Sequence, residues 1–238
     1  MAPAGLLVVA EAISALAALA VFYFTLKPSR TSSIPYLLGI PAAFGLLSLA
    51  FISNLVGVVL SAIQASEGLI PSVLYLLLET YGLLFLALTY ARRTRLKFIG
   101  ESFSIELAIP SLVTVIVVAH ALLFENVALS FTVPPTMELA LRSVMALAAA
   151  YLVYETGRNW SLTRRAGEGA IIFAYALLFV EQVGFMTAMQ WFPDVMMFLG
   201  YEGRIVGLLL LQGVCSVNVR KDDFTTIIKR LGLAAPAH

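Results

Sequence analysis

Cysteine, histidine and charge are all scarce in this chain: of 238 residues one is cysteine, two are histidine and 12% are charged. A single cysteine, Cys215, excludes an internal disulfide and a thiolate cluster. His238 is the last residue, which leaves His120 as the one histidine in an apolar segment. One imidazole is too few for a membrane zinc hydrolase or for bis-histidine haem ligation. The four lysines, Lys27, Lys97, Lys221 and Lys229, all fall between or after the apolar segments, so none is placed to carry a retinal Schiff base. Cys215 and His120 belong near opposite membrane faces, which removes a nucleophile and base pair. No enzymatic activity, cofactor or metal site is expected. The net charge of +1 is sorted by loop and forms no basic stripe, so a nucleic-acid partner is not expected either.

Apolar residues are abundant, at 61% of the chain, a composition whose solvent is lipid. Seven hydrophobic segments are legible: Ala4 to Leu26, Pro35 to Ala62, Leu69 to Ala91, Ser102 to Phe124, Pro134 to Thr156, Gly169 to Phe192 and Val195 to Val219. Each has at least about 20 residues, enough at ~1.5 Å per residue to cross a ~30 Å hydrocarbon core. The joints are short and carry Pro28, Pro71, Pro134, Pro135 and Pro193, punctuation suited to helix ends. The first segment lacks a basic flank and is longer than a signal-peptide core, so it is expected to be a retained span. The expected fold is all-α: a polytopic bundle of seven transmembrane helices over residues 1–219, followed by a tail at 220–238, in a cell membrane.

The loops give an orientation. Lys27 and Arg30, then Arg92, Arg93, Arg95 and Lys97, then Arg158, Arg164 and Arg165, then Arg220, Lys221, Lys229 and Arg230 all fall on one side, while the opposite loops hold Glu67, Glu125 and Asp194. By the positive-inside rule the amino terminus is outside and the carboxyl terminus cytoplasmic. Trp160 and Trp191 suit opposite interfaces. In the tail, Phe224, Ile227, Ile228 and Leu231 recur at helical spacing, with Asp222 and Asp223 in the first turn and Lys229 and Arg230 in the last. That pattern predicts a short amphipathic helix along the cytoplasmic interface. With no output domain in the chain, signalling would need a separate cytoplasmic or membrane protein partner.

Ionisable residues inside the spans carry whatever chemistry there is. Glu106 and Glu155 belong near cytoplasmic helix ends, where Lys97, Arg158 or water can meet them. Glu11, Glu79, Glu138, Glu181 and Glu202 then face only Arg142 and Arg204. A charge at the bilayer centre costs about 2.5–3.5 kcal/mol even on insertion scales, so these groups should face the bundle interior, pair, take up protons or line a wet cavity. Topology places Glu11, Asn54, His120, Glu138, Arg142, Glu202 and Arg204 in the outer half, with Glu79, Glu181 and Gln182 near mid-depth. Glu138 and Arg142 share a helix face at four-residue spacing. Glu202 and Arg204, two apart, cannot meet along one helix, so Arg204 should reach another helix, with Glu79 or Glu181 as sensible partners.

Three further patterns complete the sequence reading. Ser53, Gly57 and Ser61, and Ala10, Ser14 and Ala18, recur every four residues and suit close helix packing. Glu79-Thr-Tyr-Gly82 is echoed by Glu181-Gln-Val-Gly184; on helices of opposite direction the echo would suit an inverted repeat of two three-helix halves with the seventh helix added. Met137, Met145, Met186, Met189, Met196 and Met197, with His120, form a soft ligand set in composition, but methionine is also an ordinary gap-filler. The expected function is handling of protons, cations or a small cationic solute through an outward-half polar cavity. The competing expectation is a receptor-like or complex-forming module that transports nothing.

Overall fold

The computed structural model describes residues 4–31, 38–64, 69–94, 108, 111–116, 133, 135–163, 166–188, 191 and 193–219. The described chain is all-helical: α1 Ala4–Thr31, α2 Gly39–Gln64, α3 Leu69–Thr94, a short α4 at 111–116, α5 Pro135–Thr163, α6 Ala166–Ala188 and α7 Pro193–Val219. Six of these are long and apolar enough to cross a membrane. The fourth expected span is represented only by α4. His120 and the tail with its expected amphipathic helix lie outside the described residues.

Helix ends depart from the hydrophobic segments where local chemistry permits. α1 runs past Pro28 to Thr31, although proline removes the hydrogen bond to the Phe24 carbonyl. Nearby hydroxyls bond other carbonyls of that last stretch: Thr25 Oγ1 donates to Val21 O at 2.8 Å and Ser29 Oγ to Thr25 O at 2.6 Å. Pro41, Pro71, Pro135 and Pro193 sit in the first turns of α2, α3, α5 and α7, where a missing N–H costs nothing.

The six long helices pack as a closed ring in the order α1, α2, α3, α5, α6, α7 and back to α1. Short connections make neighbours antiparallel within α1–α3 and within α5–α7. The remaining two seams, α3–α5 and α7–α1, join helices running the same way. On α1 side chains sort by size: Ala10, Ala15, Ala17 and Ala18 are buried while Val9, Leu16 and Leu19 are exposed. Bulky residues outward and small ones inward is the pattern of helices that pack tightly within hydrocarbon.

Close backbone approach occurs at two antiparallel interfaces. A methyl group on Gly82 would stand 2.8 Å from Leu47 Cγ and 3.0 Å from the Ala43 carbonyl oxygen, and one on Gly207 would stand 2.9 Å from the Ala174 carbonyl oxygen. The small-residue stripes pack at interfaces except at Ser61, which is exposed and donates to Gly57 O of its own helix at 2.9 Å. Ser53 Oγ donates to Pro71 O at 2.9 Å and Gly57 faces the Pro71 ring, while Ala10, Ser14 and Ala18 are all buried.

The fourth segment, which an inverted repeat of two three-helix halves requires, lies mostly outside the described residues, but the surroundings of the two glycines of the echo can be compared. Gly82 packs against α2, whereas Gly184 packs against Met196 and Gly200 of α7. The shared spacing of Glu and Gly therefore serves two different interfaces.

Candidate functional site: a buried ionic network

One network occupies the ring interior in the half where α1 begins. Its first centre is Arg204 of α7, which is 0% exposed. Its Nη2 reaches Glu11 Oε1 at 2.6 Å, its Nε donates to Ser14 Oγ at 3.1 Å and its Nη1 donates to Tyr75 Oη at 3.3 Å. The guanidinium carbon also lies 4.4 Å from the centre of the Phe51 ring and 4.8 Å from that of Tyr201. Such stacking suits a planar, weakly hydrated cation withdrawn from water. Asn54 Nδ2 donates to the same Glu11 oxygen at 2.7 Å.

The second centre is Arg142 of α5. Its Nε bonds Glu138 Oε1 at 2.8 Å, one helical turn back, and its guanidinium lies 4.3 Å from the Phe185 ring centre. Arg142 Nη1 donates to Gln182 Oε1 at 3.4 Å, and Gln182 Nε2 donates to Glu79 Oε1 at 3.0 Å. Gln182 thus links α5 to α3 across the interior.

The two centres occupy corresponding places with their charges exchanged. Glu11 and Arg142 each stand seven residues beyond the start of α1 and α5; Glu79 stands ten beyond the start of α3, and Arg204 eleven beyond the start of α7. A side-chain amide, Asn54 on α2 or Gln182 on α6, serves each centre. Acid on α1 meets base on α7 at one parallel seam, while base on α5 is relayed to acid on α3 at the other.

Among the described residues, charge does not balance inside the network. Glu11, Glu79, Glu138 and Glu181 face Arg142 and Arg204. Glu11 and Glu138 take the close ion pairs, and Glu138 is the one carboxylate with substantial access, at 28%. Glu79 and Glu181 are each about 1% exposed. Glu79 Oε2 has no hydrogen-bond partner among the described residues. Glu181 Oε1 lies 3.4 Å from Arg204 Nη1 but lacks hydrogen-bond alignment. A contact of that length without direction leaves the oxygen poorly satisfied. Burying such acceptors is expensive unless a proton or cation meets them.

Of the ten residues singled out from sequence, the structure brings together Glu11, Asn54, Glu79, Glu138, Arg142, Glu181, Gln182 and Arg204. Glu202 points away from the interior and is exposed, as its two-residue offset from Arg204 requires. The expected link of Arg204 to Glu181 is present but secondary; the main partner is Glu11, and Glu79 is engaged by Gln182 instead. Ser14, Phe51, Tyr75 and Tyr201 were not anticipated as participants. Three of them had a signal in helical spacing, since Ser14 follows Glu11 by three residues, Tyr75 precedes Glu79 by four and Tyr201 precedes Arg204 by three. Glu155, expected at an interface, is wholly buried, with Tyr151 Oη at 3.3 Å and Arg158 Nη2 at 3.4 Å. Among the described residues no group of three or more His, Cys, Asp or Glu side chains could hold a metal ion.

Fold and site together define an all-helical bundle, six of whose helices are long and apolar enough to cross a membrane, with an ionic network in its interior. Compared with protein-family models, curated proteins and solved structures, the chain matches none of them.

Proposed function

We propose that this protein carries protons or small cations across a membrane, and that the arrangement described is its closed state. The observation supporting this is the excess of two buried carboxylates over guanidinium groups in one network between two helical halves. In this reading Glu79 and Glu181 are the carrying groups. A proton taken up by either converts a carboxylate to a neutral acid and relieves the surplus charge, and a monovalent cation seated between them does the same. Arg204 and Arg142, fixed by Glu11 and Glu138, keep the remaining charge constant. Opening of one parallel seam would wet the carboxylates from one side, and rocking of the halves would expose them to the other, the general scheme for transporters built from repeats. The basic loops orient the chain with its amino terminus outside, which puts the network in the outer half.

Reconstitution into liposomes tests the proposal. Wild-type protein should dissipate an imposed proton, sodium or potassium gradient, and no flux under any of them rejects transport. A second reading, a receptor-like or complex-forming module, draws support from the enclosure of the network, whose central groups have almost no access. Its basic loops would then contact a cytoplasmic partner, and co-purification of a stable partner without flux favours it.

A further inference from the structure

The direction of one amide inside the network bears on which ion the site accepts. A guanidinium carries N–H groups and no acceptor, so Gln182 can meet Arg142 only with its carbonyl oxygen, and Arg142 Nη1 donates to Gln182 Oε1 at 3.4 Å. The other end of the same amide is thereby turned on Glu79, where Nε2 donates to Oε1 at 3.0 Å. Arg142 is itself held by Glu138 at 2.8 Å. Gln182 and Arg142 are both buried, which removes water as an alternative partner.

Glu79 is therefore faced by a donor. Sodium or potassium entering a protein exchanges its water for a shell of oxygen atoms. The oxygens of this part of the network are already turned toward N–H groups: Gln182 Oε1 toward Arg142, Tyr75 Oη toward Arg204 Nη1 at 3.3 Å, and Glu79 Oε1 toward Gln182 Nε2. A metal ion drawing on them would compete with an amide N–H and two guanidinium groups. A proton needs one oxygen. Glu79 Oε2 is buried and without a hydrogen-bond partner among the described residues, and an O–H bond formed there leaves Oε1 free to keep its bond from Gln182 Nε2.

We propose that Gln182 is the specificity-determining residue of the site, reserving Glu79 for a proton against sodium and potassium. The inference rests on the transport reading above and narrows its substrate from small cations to the proton. Loading forms one O–H bond at Glu79 Oε2 with a proton delivered by water, and release breaks that bond and returns the proton to water. Neither step requires a change in the other hydrogen bonds that run from Glu138 through Arg142 and Gln182 to Glu79. Asn54 acts on Glu11 in the same way, its Nδ2 donating to Oε1 at 2.7 Å, so each amide of the network turns an N–H group on an acid.

Infrared difference titration of the protein in liposomes tests this whether or not ions cross. Acidification of wild type should produce a protonated-carboxyl band, with a component absent from Glu79→Gln, at a midpoint that is the same in choline, sodium and potassium chloride. Arg142→Gln frees the amide to turn over, and Gln182→Glu replaces its N–H groups with oxygen. In each of these, sodium should compete with the proton and lower the midpoint by at least about one pH unit, a tenfold change in apparent proton affinity. Wild-type midpoints that fall in sodium or potassium overturn the proposal, as does a spectrum unchanged by Glu79→Gln or indifference to sodium in both variants. A sodium-indifferent wild-type midpoint without flux of any ion supports the proton site and rejects transport, whereas sodium flux with a sodium-sensitive midpoint rejects this inference and keeps transport.

Discussion

Arg204 is the side chain on which the interior depends most. It spans contacts to α1 and α3 and is wholly buried, so removing it strands Glu11 without a cation. Breaking a buried pair from one side costs about 3–5 kcal/mol. Arg204→Leu should therefore lower unfolding stability in detergent by that order, and Glu11→Gln in the same background should recover part of the loss. A double-mutant cycle reads the coupling directly. Glu138→Gln is expected to be much milder, within about 1 kcal/mol, because Glu138 is partly solvated and water screens its pair with Arg142. This contrast also marks what a sequence can disclose. The Glu138–Arg142 pair is local, one turn apart on one helix, and spacing alone finds it. Glu11 and Arg204 are separated by nearly the whole chain, and their meeting depends on the ring closing α7 onto α1.

Among the helices, interface tolerance follows from which glycines face backbone. A leucine at Gly82 or Gly207 would drive α3 from α2 or α7 from α6, where even a methyl group lies within 3.0 Å of a neighbouring atom. Overpacking of this kind costs about 1–3 kcal/mol, and thermal unfolding of Gly82→Leu and Gly207→Leu should show it. Gly213, on the same α7, has nothing within 4 Å of an added methyl group. Gly213→Ala should be neutral or stabilising by up to about 1 kcal/mol through helix propensity. Sequence located all six long helices, because apolar length is a strong signal. It misplaced several ends: prolines taken as joints lie inside first turns, and the hydroxyls of Thr25 and Ser29 accompany the continuation of α1 past Pro28.

For the whole molecule, the ring has two seams between helices running the same way, one crossed by the Glu11–Arg204 ion pair and the other by the hydrogen bond from Gln182 to Glu79, while neighbours within α1–α3 and within α5–α7 are antiparallel. Motion that separates the halves must break Glu11–Arg204 at one seam and the Glu79–Gln182–Arg142 relay at the other. A disulfide across the α7–α1 seam, introduced in a Cys215→Ser background, should therefore abolish flux reversibly with reductant. An equivalent bridge within one half should leave it intact. Spacing discloses little about surroundings: in the Glu and Gly echo, Gly82 faces α2 and Gly184 faces α7. Sequence did place the surplus of acid over base, because that surplus depends only on which residues lie within spans.

The most direct measurement is proton entry into vesicles loaded with a pH-sensitive dye, comparing wild type with Glu79→Gln, Glu181→Gln and Glu138→Gln at equal incorporation. The account predicts flux in wild type and in Glu138→Gln, and flux reduced at least about tenfold in each of the other two. Undiminished flux in both Glu79→Gln and Glu181→Gln would contradict it.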